Sequence, residues 1–206
     1  MYKIDTIVLG SYENNCYILR EENATTCVLV DPATDAQHLL EKTQEMGLAI
    51  EAILLTHGHF DHVLAVQEIT AATGCPVWMH PGDHHPENGA MLDFFYPLSK
   101  VELPNVRYCN EGDVLNLAGL SIQVLATPGH TNGSVCFQCE DLLLTGDTLF
   151  AGSIGRTDLP GGSYQTIQTT LQRLTALEEN FHILPGHGEA SDLATEKRSN
   201  PYLRGM

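Results

Sequence analysis

The sequence predicts an α+β protein in which two β-sheets pack face to face with helices on their outer sides. Three observations carry this. The chain has two strand-rich halves, each half ends in helical periodicity, and no linker-like stretch divides them, so residues 1–206 read as a single domain. Apolar residues make up 43% and charged residues 17%, the balance of a chain that buries a real core rather than of a disordered one.

The elements follow in order. Residues 2–9 (YKIDTIVL), 15–20 (NCYILR) and 26–31 (TCVLVD) read as strands. Asp35 is placed to cap a helix that runs to Met46 and stops at Gly47. The apolar run at 52–56 (AILLT) is a strand. A histidine-rich loop follows, then a helix from Asp61 to Ala72 closed by Gly74, then a strand at 76–80 (PVWMH). Between 81 and 105, turn residues mix with Met91, Phe94, Phe95 and Tyr96 without periodicity. That segment is either a lid, with Phe94 and Phe95 as one wall of a pocket, or a helical insert packed over the core. The second half repeats the pattern, with strands at 113–117, 120–126, 134–139 and 142–146 and a helix from Tyr164 to Glu178. A strand at 181–185 (FHILP) and a last helix complete it.

Charge and cysteine content narrow the function. Acidic residues outnumber basic ones 26 to 10, and no Lys/Arg cluster offers a track for phosphates, so nucleic acid is not an expected partner. The N-terminus lacks a basic start followed by a long apolar run, and no eighteen apolar residues occur together, so no membrane association and a cytoplasmic location are expected. Cys16, Cys27, Cys75, Cys109, Cys136 and Cys139 are expected to be reduced thiols. Cys136 and Cys139 have the spacing of a redox pair, but VCFQC reads as a strand, where positions three apart face opposite ways.

The chemistry concentrates in His57, His59, Asp61 and His62, four potential metal ligands within six residues, where a strand has ended and a helix begins. His57 and His59, two apart in an extended loop, can face one point, and Asp61 and His62 at the helix start can face a neighbouring one. His130, Asp147 and His187 each follow an apolar strand. Gly129, Gly146 and Gly186 precede them, as expected where the backbone turns sharply or passes close to something.

With this His-x-His-x-Asp-His loop and the later His, Asp and His, the sequence resembles the metallo-β-lactamase superfamily over nearly its whole length. The resemblance implies a four-layer αββα sandwich with the site at one edge of the two sheets. It assigns His57, His59 and His130 to one metal, Asp61, His62 and His187 to a second, and Asp147 to the bridge between them. The implied cofactors are two divalent ions, zinc in first place, with iron or manganese also acceptable to such N/O ligands. Such ions lower the pKa of a shared water, giving hydroxide near neutral pH, and polarise a carbonyl, which suits ester, thioester, lactone or amide hydrolysis. Asp61 is also the catalytic candidate that orients the water or accepts its proton. Asp31 resembles the family's outer aspartate that steadies a ligand loop, or else is a turn residue ahead of Pro32. His38, His80, His84, His85 and His182 match no ligand position; His80, His84 and His85 remain candidates for substrate contact.

Residues 146–152 (GDTLFAG) resemble the glyoxalase II group, which implies a thioester substrate of the S-lactoylglutathione type. Many β-lactamases carry cysteine at one ligand position, and none of the seven is replaced here. Two features depart from the group. Its members continue beyond the position of His187 into a helical domain that supplies basic residues, whereas this sequence ends at PYLRGM. They also place an aromatic after a basic residue, and here Arg156 is followed by Thr157 and Asp158. Arg156 is either a substrate-binding residue, forked onto a carboxylate, or a surface partner of Asp158. The Gly-Arg-Thr-Asp run also resembles persulfide dioxygenases, which implies the alternative of a single iron on His57, His130 and Asp147. A lactonase would use the same chemistry as a thioesterase, and a non-catalytic binding module would be expected to have lost a ligand. The expected partner is a small-molecule thioester or ester.

Overall fold

The computed structural model describes residues 1–84 and 103–205. One six-stranded sheet runs β1 (Tyr2–Leu9), β2 (Asn14–Glu21), β3 (Thr26–Val30), β4 (Ala49–Leu54), β5 (Val77–Met79) and β6 (Val106–Tyr108) in spatial order, antiparallel up to β3 and parallel beyond it. The second half supplies β7 (Val114–Leu117), β8 (Leu120–Ala126), β9 (Val135–Cys139), β10 (Leu142–Gly146), β11 (Leu149–Phe150) and β12 (Ser153–Ile154), which pair in a separate small hairpin, β13 (His182–Pro185) and β14 (Ser191–Asp192); all but that hairpin form the second sheet. Its order is β14-β13-β10-β9-β8-β7.

Strand periodicity explains the layers. In β2, Tyr17 and Leu19 face the second sheet, where they join Val28, Leu54, Val124 and Phe137 in the core between the sheets. Cys16 and Ile18 face the other way, onto α1 (Ala36–Glu45) and α3 (Val66–Thr73) through Leu39, Val66 and Ile69. On the far side, Cys136, Leu143 and Ile183 pack against α4 (Tyr164–Thr175) and α5 (Leu193–Ser199). Strands covered on both faces must be apolar at every position, which is why their runs show little alternation. The result is the expected αββα sandwich. Cys136 and Cys139 do face opposite sides, and all six cysteines are buried and unpaired.

Several boundaries differ from expectation. The helix expected from Asp61 to Ala72 is two helices, α2 (Phe60–Val63) and then α3. The break arises because the Leu64 and Ala65 N–H groups donate to the carbonyls of Ala33 and Pro32, at 3.1 and 3.2 Å, in place of helix carbonyls. The short strands β6, β11, β12 and β14 carry too few residues for a periodic signal. Helix α4 stops at Thr175, not 178, and β4 begins three residues before the expected strand, as the parallel partner of β3. The segment expected to be a lid or a helical insert begins as a 3₁₀ turn, Pro81–Asp83; His85, Met91, Phe94, Phe95 and Tyr96 lie outside the described residues. Among the described residues no helix is long and apolar enough to cross a membrane.

Candidate metal centre

The segments that follow β4, β8, β10 and β13 meet at one end of the sandwich, bringing together all seven side chains singled out from the sequence. His57, His59 and His130 form one group and Asp61, His62 and His187 another, with the nitrogen and oxygen atoms of each group within 4.8 Å of one another. Asp147 lies between them. Its Oδ1 is 3.5 Å from His62 Nε2, and its Oδ2 is 3.5 Å from His130 Nε2 and 3.6 Å from His187 Nε2.

Each histidine ring but one is aimed by a partner on Nδ1. His62 Nδ1 donates to Asp31 Oδ2 at 3.0 Å, His130 Nδ1 to the Arg156 carbonyl at 2.7 Å, and His187 Nδ1 to the Tyr12 carbonyl at 2.9 Å. His57 Nδ1 lies 3.0 Å from Thr56 Oγ1, whose own hydroxyl donates to Asp31 Oδ2 at 2.6 Å. Thr56 N–H donates to Asp31 Oδ1 at 2.8 Å, so one buried carboxylate holds a histidine of each group. This leaves Nε2 of four histidines facing inward. His59 instead turns Nδ1 to His130 Nε2, at 2.8 Å.

The donor set fits metal ions on its own evidence. Among the described residues, His57 Nε2, His59 Nε2, His62 Nε2 and Asp147 Oδ1 are buried and have no hydrogen-bond partner, a costly arrangement unless something else engages them. Asp31, His57 and His62 also cluster closely enough for a metal, but three hydrogen bonds already commit the Asp31 carboxylate to holding its neighbours.

Burial and charge set the protonation states. Burial, then the neighbouring imidazoles, hold His57 well below the usual histidine value and bring His59 down to about 3. Burial also pushes His62 down, but Asp147, Asp31 and Asp61 together outweigh it and lift the group to about 9. For His187, burial is likewise overcome by Asp61 and Asp147, and its value rises. Burial raises Asp61, yet the hydrogen bond from His187 and the charge of His62 hold it below the ordinary carboxylate range.

Sequence reasoning missed three supports. Asn14 Nδ2 donates to Asp61 Oδ2 at 3.4 Å and lies 3.5 Å from His187 Nε2. Asn15 Nδ2 donates to the carbonyls of Pro185 and Gly188, both at 2.9 Å, pinning the His187 loop to β2. Asp83, 1% exposed, accepts from Gly58 N–H at 2.9 Å, Thr131 Oγ1 at 2.6 Å and Gly133 N–H at 2.7 Å, tying the His57–His59 loop to the His130 loop. Asn14 and Asn15 merely open a strand in the sequence, and Asp83 lies in a turn-rich stretch, so no pattern flagged them. The glycines before ligand candidates are explained by close approach. A Cβ on Gly146 (φ +48°) would lie 2.2 Å from Thr56 Oγ1, and one on Gly186 would lie 2.4 Å from Asp147 Oδ1.

Arg156 lends its carbonyl to His130, while its exposed guanidinium forks onto Asp158, Nε to Oδ1 and Nη2 to Oδ2, each at 2.8 Å. His80, His84 and His182 stand outside the cluster: His80 Nδ1 accepts from Gly82 N–H, His84 pairs with the Tyr108 hydroxyl, and His182 lies beside Asp141.

An αββα sandwich with two His/Asp groups sharing one carboxylate at its edge fits a dinuclear metal centre and defines a metallo-hydrolase. The chain belongs to the metallo-β-lactamase superfamily, whose family profile matches residues 9–187. Hydroxyacylglutathione hydrolase GloC of Haemophilus influenzae is 32% identical over 210 residues, covering 97% of each chain. Two solved structures are similar over nearly their full length. The B3 metallo-β-lactamase BLEG-1 gives a TM-score of 0.89 at 31% identity, covering 98% of this chain and 100% of that one. TTHA1623 in a di-iron-bound form gives 0.85 at 39%, covering 97% and 100%.

Proposed function

We propose that this chain is a dinuclear metal-dependent hydrolase that cleaves a thioester of the S-lactoylglutathione type. The observation that carries the reading is the position of Asp147, with one oxygen 3.5 Å from His62 Nε2 and the other 3.5 Å from His130 Nε2, one carboxylate shared by two ligand groups. His57, His59 and His130 would hold one ion, Asp61, His62 and His187 the other, and Asp147 both. When bound, the ions supply Lewis acidity, acidifying a shared water and polarising the substrate carbonyl.

The protein's own groups do the rest. Asp61, kept ionised and accepting from Asn14, orients the attacking water. Asp31 fixes His62 and, through Thr56, His57, so the rings need not reorganise. An exposed pair such as Arg156–Asp158 is weakly held, so a substrate carboxylate displaces Asp158 and takes the guanidinium fork.

The thioester class rests on the GDTLFAG run and on the GloC relative, which aligns over 97% of its own length. Zinc and iron both suit the ligands, and a di-iron relative 39% identical favours testing iron first among the alternatives. Six unpaired cysteines favour a reducing, cytoplasmic setting.

The test is hydrolysis of S-lactoylglutathione by protein reconstituted separately with zinc, iron and manganese, with metal content measured on the same samples. Rapid turnover with two metals bound is expected. No turnover, with one iron retained, overturns the reading in favour of persulfide oxidation.

A further inference from the structure

Beside the Asp61 group lies a cavity of about 320 Å³ between the β1–β2 turn and the start of α2. Its walls are mostly apolar: Leu9, Tyr12, Phe60 and Leu64 supply the large side chains. The Tyr12 and Phe60 rings meet edge to face at 5.3 Å. Asn14 and Asp61 also line it, so the cavity opens onto the second ligand group. Tyr12 and Leu64 are 50% and 39% exposed, an investment in wet apolar surface that a bound apolar group would offset.

We propose that this cavity is the acyl subsite and takes an uncharged, straight aliphatic chain longer than lactoyl; the inference rests on the thioesterase reading above. Charge decides which half of the substrate enters. A glutathione-like thiol half carries carboxylates and needs a cation, but among the described residues the lining contains no Lys or Arg and its charged member is the anionic Asp61. Among the described residues, the cation near the centre is Arg156, whose charge acts on His59 of the other group and whose carbonyl accepts from His130. The anionic thiol half therefore lies on the Arg156 side and the acyl half on the Tyr12–Leu64 side, with the scissile bond between the two ligand groups. A cavity of this volume exceeds what a three-carbon lactoyl group fills.

Each methylene taken from water into such a pocket raises kcat/KM about fourfold. The test measures kcat/KM for acetyl-, butanoyl- and hexanoyl-glutathione with the metal-loaded protein and with Leu64→Ser and Tyr12→Ser. Both changes fall on half-exposed side chains, and the second keeps the carbonyl that holds His187. The expected result is a rise with chain length in the wild type and a smaller hexanoyl-to-acetyl ratio in each variant. A flat wild-type series, or a ratio that neither variant changes, overturns the subsite. Calorimetric titration of zinc-loaded protein with hexanoate and acetate separates this from the parent reading. If no thioester is cleaved but hexanoate binds more tightly and Leu64→Ser removes the difference, the subsite stands and the thioesterase reading fails. Equal binding of the two acids overturns the subsite.

Discussion

The two ligand groups share Asp147 yet are prepared differently. His57, His59 and His130 are all imidazoles, at most 8% exposed, and two of them are held neutral by burial and by one another. The Asp61 group includes a carboxylate, its His62 and His187 are pushed toward the protonated form, and Asp61 and His187 reach the apolar cavity and solvent. His57 and His59 thus stand already in the binding form, while His62 and His187 must release protons when a metal enters. The difference follows from the carboxylates: three of them surround His62, whereas the other imidazoles are the main charges around His57.

The most severe way to break the comparison is Asp147→Ala. Both groups should lose metal and turnover should fall to background, read by metal analysis and S-lactoylglutathione hydrolysis; two metals retained would refute the shared carboxylate. Asp31→Ala comes next. Because it releases His62 directly and His57 through Thr56, metal affinity should drop about 10–100-fold in both groups, measured by chelator competition.

Asp83→Ala separates the groups. It orphans the Gly58 and Gly133 N–H donors and the Thr131 hydroxyl, at a cost of about 1–3 kcal/mol for each donor that water does not reach. It should lower the urea midpoint and weaken the first metal while sparing the second, and equal loss of both would show that the loops are not independently supported.

Protonation gives a smaller effect. In metal-free protein, His57 and His59 have folded values below the unfolded value near 6.5, so the folded state binds fewer protons and stability falls as pH drops from about 6.5 toward 3. His62 has the opposite sign: its contribution is complete below about 6.5 and is lost as pH rises toward 9. Urea midpoints of metal-free protein should therefore peak near pH 6.5, and saturating zinc should abolish the alkaline fall, since a metal-bound His62 is already deprotonated, while steepening the acid one. A metal-free profile that is flat from pH 8 to 5 would break the asymmetry. The mildest change is Arg156→Ala, which should leave the melting temperature unmoved and raise KM for S-lactoylglutathione with kcat retained; a change in kcat alone would remove Arg156 from substrate binding.

Much of this was readable from residue order. Alternating and continuous apolar runs marked the long strands, Asp35 and Gly74 marked helix ends, and ligand-type residues after strands named all seven side chains that converge. These are local signals, written within a few neighbours of one another. The break between α2 and α3 was not local, because it depends on the Pro32 and Ala33 carbonyls, nor were β6, β11, β12 and β14, which exist only through their partners. Asp31 stood in the sequence as either a turn residue or a support, and only its three bonds to Thr56 and His62 decided between them. Asn14, Asp83, the Tyr12 carbonyl and the apolar cavity were likewise decided by folding, since residues up to 175 positions apart meet there. Ligand identity is a property of side-chain chemistry and so is carried by sequence; which nitrogen of a ring faces inward, and whether its neighbours keep it neutral, depends on distances that arise only when the two sheets close on each other.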